Sequence, residues 1–164
     1  MWYNNISMNI YQPLTSHFEL KVGSIVEVVK GKKRYVLVYR SGNKGRGFLE
    51  ITRGKVEVGS LEQNVIRETW EETGLRCRII RPMLLSFYVS SAARHSDCQI
   101  YYICRPLSKV DVARKWLQRD YDPHKHGRRW YNCYFVPVAA LKPAEFKNGQ
   151  DAIIRHYLKS LKKK

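Results

Sequence analysis

Glu68, Glu71 and Glu72 fall within about one helical turn of each other in the stretch "SLEQNVIRETWEETGL", residues 60–75. The chain around them is strongly basic, with 30 Lys and Arg against 14 Asp and Glu and a net charge of +16. Like charges three and four apart on a helix repel each other. A hard divalent cation relieves that repulsion, because such ions take carboxylate oxygens and keep several of their waters. The plainer alternative is a solvated helix face paired with nearby Lys or Arg.

The surrounding residues predict the helix that would carry these acids. Ser60 is a good N-cap, Gln63 completes a capping box, and Gly74 is a good stop. At about 100° per residue, Val65, Ile66, Thr69, Trp70 and Thr73 gather on one side and are expected to face the core. Glu68, Glu71 and Glu72 gather on the other side and are expected to converge on one point.

Other elements follow from the same patterns. "SIVEVVKGKKRYVLVYR" reads as two strands around a turn at Lys30-Gly31-Lys32. "SGNKGRG" is a basic glycine-rich loop, "FLEIT" a short strand, and "RGKVEVG" a loop bounded by glycines. "RCRIIRPMLLSFYVS", "CQIYYICRPL" and "WYNCYFVPV" are strand-like. Residues 108–130 are polar and basic, with a short helix expected around 110–117. "DAIIRHYLKSLKKK" is an amphipathic helix with Ile153, Ile154, Tyr157, Leu158 and Leu161 on its apolar stripe. The order predicts a mixed α/β domain around a sheet with antiparallel hairpins.

Length and composition set outer limits. A chain of 164 residues suits one domain with a real core. The reading is a single domain over 1–164, with an N-terminal extension (1–20), a basic loop insertion (108–130) and a C-terminal helix (150–164). The excess of positive charge points to a polyanionic partner: nucleic acid, a polyphosphate metabolite or an acidic membrane. Cys77, Cys98, Cys104 and Cys133 form no CxxC pair, which argues against a zinc ribbon and for buried reduced thiols. "MWYNNISMNIYQPL" lacks a basic region followed by an apolar core, so no signal peptide is expected. No apolar run approaches the roughly 20 residues of a membrane span. A cytoplasmic location is the expectation.

"GKVEVGSLEQNVIRETWEETGL", residues 54–75, resembles the Nudix box. Arg67-Glu68-Thr69-Trp70-Glu71-Glu72-Thr73-Gly74-Leu75 fills its second half, with Thr69 in an apolar slot. Residues 54–59 look like its first half. "FLEITRG" resembles the entry strand of many members, with Thr52 where Pro is common. Two departures stand out. Ser60 replaces the usual Glu, and the stretch from Gly54 to Arg67 is one residue short.

The resemblance implies a Nudix-like α/β/α sandwich with a mixed sheet. It implies a metal-dependent pyrophosphohydrolase that cleaves a nucleoside diphosphate linked to another group, or a related polyphosphate, with Mg2+ or Mn2+ as cofactor. Glu68, Glu71, Glu72 and the Gly54 carbonyl would hold the metal, and Glu71 or Glu72 would act as general base. Arg67 would orient a carboxylate, and Glu57 would support the metal shell or stand exposed in the loop. Arg53, Lys55 and Arg46 would face the phosphates. A base supplied by a later Glu, as in some members, has no counterpart, because residues 97–141 hold Asp97, Asp111, Asp120 and Asp122 but no Glu. Expected partners are a phosphorylated small molecule or nucleotide, and RNA through the basic loops. The oligomeric state is not read from the sequence.

Substrate choice in this family lies in loops, and here the loops are basic. They contain Arg40, Lys44 and Arg46 before the box, and Arg114, Lys115, Arg119, Lys125, Arg128 and Arg129 with Trp116, Tyr121 and Trp130 after it. Candidate substrates are dinucleoside polyphosphates, a capped or triphosphorylated RNA end, inositol pyrophosphates, ADP-ribose or a damaged nucleoside triphosphate. The alternative function is a catalytically weak or inactive Nudix-fold module for RNA, or a ribonucleoprotein subunit.

Overall fold

The computed structural model describes residues 17–42, 47–90, 95–120, 129–147 and 149–162. Strand β1 (His17–Lys30) is the organising element. On one side it pairs in parallel with β5 (His95–Pro106). On the other side it pairs antiparallel with two partners in turn. These are β3 (Thr52–Lys55) along residues 21–24 and β2 (Lys33–Ser41) along residues 27–30. The sheet therefore divides between β3 and β2. The strand order is β4 (Cys77–Ser90), β5, β1, β2, β7 (Trp130–Pro137), β6 (Lys115–Arg119), with β3 attached to β1 beside this path.

Alternation along the strands supplies two apolar faces, and one helix covers each. Helix α1 (Leu61–Thr73) places Val65 against Val22, Val26, Tyr102 and Cys104. Helix α2 (Gln150–Leu161) buries Ile153, Ile154 and Tyr157 against Ile25, Val36 and Ile103. Each such side chain contributes about 1.5–3 kcal/mol by leaving water. The result is the expected α/β/α sandwich. All four cysteines are free, buried and in strands. Among the described residues no helix is long and apolar enough to cross a membrane.

Two expectations are corrected. The helix expected around 110–117 does not form: residues 110–114 make a turn, and 115–119 form a strand that pairs antiparallel with β7. The segment 108–130 is accordingly not a plain loop. Its Trp116 packs into the core at the end of α1, where its indole N–H donates to the Thr73 carbonyl at 2.8 Å. The second correction concerns the buried side of α1. Ile66 and Trp70 are 39% and 40% exposed, whereas Glu68, Glu71 and Glu72 are 2%, 6% and 4% exposed. The buried stripe runs Val65, Glu68, Thr69, Glu72, Thr73, so the acids share the inward side with the apolar contacts.

Candidate active site

The helix ends form as the sequence dictates. Ser60 Oγ accepts from Gln63 N–H at 3.2 Å, Gln63 Oε1 accepts from Ser60 N–H at 2.8 Å, and Gly74 closes the helix at φ 71°. The short loop before the helix is laced to it by Asn64. Its Oδ1 accepts from Glu57 N–H at 2.9 Å and its Nδ2 donates to the Ser60 carbonyl at 2.9 Å. Arg67 donates to the Lys55 carbonyl at 3.0 Å from the same side.

Where the sheet divides, a pocket of about 680 Å3 opens. Glu68 and Glu72 border it together with Gly54, Arg53 and Lys55. The Glu68 carboxylate lies directly against Gly54, so that a Cβ at that position would fall inside the carboxyl group. Glu72 Oε2 accepts from the Tyr39 hydroxyl at 3.0 Å and from Arg53 N–H at 3.1 Å. Charge-assisted bonds of this kind hold a buried carboxylate in one orientation.

Glu71 departs from the expected convergence. It does not border the pocket, and Arg67 holds its Oε2 at 2.8 Å. The same guanidinium reaches Glu68 at 2.9 Å and Glu57 at 3.7 Å. Burial, the largest influence on Arg67, opposes its charge, but Glu68, Glu71 and Glu57 outweigh it and raise its pKa. Arg67 is thus a fixed cation that binds two of the three box carboxylates to the helix surface. Arg46 lies outside the described residues, as do Lys44, Tyr121, Asp122, Lys125 and Arg128. Asp97 is buried beside Lys21 and Gln99, and Asp120 accepts from Tyr131, so neither borders the pocket.

Several pocket residues carried no sequence signal. Glu50 accepts from Ser41 and pairs with Lys147 at 3.3 Å. Gln150, 1% exposed, clamps Ile51 by accepting from its N–H and donating to its carbonyl, both at 2.9 Å. Tyr39, Lys21 and Tyr131 come from strands far away in sequence, and Arg129 and Trp130 complete the wall. Burial, reinforced by Glu72 and Glu50, raises the Tyr39 phenol well above its ordinary value. Burial, reinforced by Glu72 and Asp120, does the same for Tyr131. Both remain protonated donors through the neutral range.

The donor set is chemically suited to a hard divalent cation. Two buried carboxylates and a glycine backbone give oxygen ligands beside open volume. Among the described residues no cluster of three or more Asp, Glu, His or Cys side chains has converged into a ready cage. The fit therefore rests on Glu68, Glu72 and the Gly54 backbone.

The family model of the NUDIX domain matches residues 19–157. The chain belongs to the NUDIX family. Solved structures agree in fold. The NUDIX domain of Shewanella oneidensis NrtR complexed with ADP ribose superposes with a TM-score of 0.65 at 15% identity, covering 93% of this chain and 94% of that one. The MutT protein from Methanosarcina mazei Go1 gives 0.58 at 17% identity, covering 90% and 97%. An ADP-ribose pyrophosphatase from Streptococcus suis 89-1591 gives 0.54 at 17% identity, covering 87% and 90%.

Proposed function

We propose that the chain, as one Nudix domain over 1–164, is a divalent-metal-dependent pyrophosphohydrolase. Its substrate would be a nucleoside diphosphate linked to a second group, or a related polyphosphate. The observation that carries this reading is the pair of buried carboxylates, Glu68 and Glu72, at the edge of a pocket rimmed by Arg53, Lys55 and Lys21. Relatives in fold were solved with ADP ribose or named as an ADP-ribose pyrophosphatase, which supports a nucleotide-type substrate.

In this reading Glu68, Glu72 and the Gly54 carbonyl hold the cation, Mg2+ or Mn2+. When bound, such an ion neutralises a diphosphate and brings the pKa of a bound water toward neutrality. Arg53 and Lys55 hold phosphate oxygens at the rim. Tyr39 and the Arg53 amide keep Glu72 in place. Of the two candidate proton acceptors, Glu72 borders the pocket and Glu71 does not, so Glu72 is assigned as general base. Arg67 is a positioning residue that acts through Glu68 and Glu71. Trp130, on the wall, offers a flat apolar surface for a base or other planar group.

The test is a panel of dinucleoside polyphosphates, nucleotide sugars, ADP-ribose, inositol pyrophosphates and nucleoside triphosphates, each with Mg2+ or Mn2+. Glu68→Gln and Glu72→Gln should each slow the best substrate by at least about 100-fold. Calorimetry should show weakened metal binding for both. Equal rates for wild type and variants would reject the assignment.

A further inference from the structure

Helix α1 covers its side of the sheet only in part. Phe18, Leu20 and Val22 lie on one face of β1, because alternate residues of a strand share a side. Val22 is buried in the cluster that Val65 of α1 completes, whereas Leu20 is 37% and Phe18 65% exposed. Register carries this pattern onto the two neighbouring strands. Leu20 pairs with Cys98 on β5, and Cys98 pairs with Phe87 on β4. Val22 pairs with Ile100, and Ile100 pairs with Leu85. Paired residues share a face, so all of these side chains stand on the α1 side. Phe87 is 69% and Leu85 55% exposed. Cover by the helix thus fades at the row Val22, Ile100, Leu85, and an apolar face on three adjacent strands lies open beyond it.

This face carries no charged side chain. Glu19, Lys21 and Asp97 belong to the same stretches of strand, but they turn to the opposite face, where Lys21 pairs with both acids. The molecule as a whole has 30 Lys and Arg, so a surface shaped for a polyanion or an acidic protein would have cations within it. The face also reaches the rim of the sheet. β4 is an edge strand, and its second half, from Leu84 to Ser90, keeps regular register with β5 after the shifts that interrupt its first half. Phe18, Leu20, Leu85 and Phe87 all stand apart from the catalytic pocket.

The size of the face is informative. At about 200 Å2 for each residue, these four expose roughly 450 Å2, at the scale of a functional apolar patch. One partner of a standard interface contributes about 800 Å2, and about 65% of a homodimer interface is apolar. The exposed apolar area is close to that share.

We propose that this face is a homodimer interface, on which a second copy packs its own β4–β5–β1 face across a two-fold axis. A charge-free apolar face on a molecule of net charge +16 is matched by another charge-free apolar face of equal extent, and a second copy supplies one. The contact is isologous, so each Phe and Leu faces the same patch that it belongs to. Two sheets packed in this way lie about 10 Å apart and interdigitate their side chains. The second sheet then gives this part of the face the covering layer that α1 gives the rest. The proposal does not rest on the hydrolase reading, because the interface lies outside the pocket.

Sedimentation velocity of the full chain tests it. A dilution series from about 100 μM should show a dimer that dissociates. Added salt should tighten that dimer, because it screens the repulsion between two strongly positive molecules and leaves apolar contact intact. Leu85→Lys/Phe87→Lys should raise the dissociation constant at least about 100-fold, and Phe18→Lys at least about tenfold, as expected of apolar anchors. Both variants should keep the wild-type circular dichroism spectrum, since the replaced side chains are exposed. Phe18→Ser/Phe87→Ser serves in place of either that does not. Leu117→Lys, at a residue 50% exposed on the far edge strand β6, should leave the dimer unchanged. A wild type that stays monomeric throughout the series would overturn the proposal, as would a dimer that dissociates when salt is added. A dimer lost in the β4 variant but intact in Phe18→Lys would overturn it in favour of edge-to-edge pairing of β4. A monomer retained on vesicles of uncharged phosphatidylcholine, and released by the same substitutions, would overturn it in favour of a lipid surface.

Discussion

The Glu68 carboxylate occupies the space that any side chain at residue 54 would need, so the glycine and the acid define one seat between them. A glycine here serves close approach, not unusual backbone rotation. Gly54→Ala should displace Glu68 and lower kcat by about 100-fold, the cost of a misplacement of about 1 Å at a reacting centre. The overpacking should also cost about 1–3 kcal/mol of stability. Steady-state kinetics beside urea unfolding check both effects. Normal kcat in a folded variant would mean that Glu68 works from another position.

Tyr39→Phe removes a hydroxyl donor from buried Glu72 while keeping the ring that packs beside Tyr131. A buried acceptor that loses a partner costs about 1–3 kcal/mol. Urea unfolding in chelator should show that loss. A variant as stable as the wild type would show that water replaces the hydroxyl at no cost.

Ser60 stands where the family signature has Glu, yet it is exposed, spends its hydroxyl on the helix cap and does not border the pocket. Ser60→Ala should cost about 1 kcal/mol through the lost cap. Ser60→Glu should leave the magnesium concentration for half-maximal rate unchanged. A several-fold drop in that requirement would place residue 60 within reach of the metal.

Glu19 joins Lys21 at 3.1 Å and also pairs with Lys55. Burial, the largest influence, raises its pKa, but the two lysines together bring it below its ordinary value of 4.5. A depressed carboxyl stabilises the fold above the unfolded-state pKa and loses that contribution as pH falls through the folded-state value. Glu19→Gln should therefore lower Tm at pH 7, and the gap should close as the pH falls below the unfolded-state pKa and through the lower folded-state one. For a partly exposed pair the gap should not exceed about 4 °C. A constant gap across pH would assign the effect to packing.

What the sequence made legible was local. Ser60, Gln63 and Gly74 announce both ends of α1, and the Lys30-Gly31-Lys32 turn announces the first hairpin, because caps and turns depend on adjacent residues. Residues 110–117 misled because Ala113, Arg114, Lys115 and Leu117 suit a helix in isolation, while the pairing of 115–119 with β7 decides the outcome. The inward side of α1 misled for a different reason. Apolar patterning assumes that charge seeks water, but here the pocket draws Glu68 and Glu72 inward and leaves Trp70 half out. Tyr39, Glu50, Lys147 and Gln150 were illegible as site residues, since each arrives through strand pairing or helix docking across long sequence separations.

Two of the chain's departures from the family pattern meet in space. Ser24 Oγ lies 2.5 Å from Thr52 Oγ1 and 2.8 Å from Thr69 Oγ1, all buried, and Thr69 donates to the Val65 carbonyl at 2.7 Å. Thr52 stands where Pro is common and Thr69 where an apolar residue is usual, and Ser24 on β1 joins them. Changing either threonine alone toward the family residue would leave a buried hydroxyl short of a partner. Changing it together with Ser24 would not. The three positions therefore form one epistatic unit, in which the familiar residue at one site is unfavourable until its neighbours have changed as well.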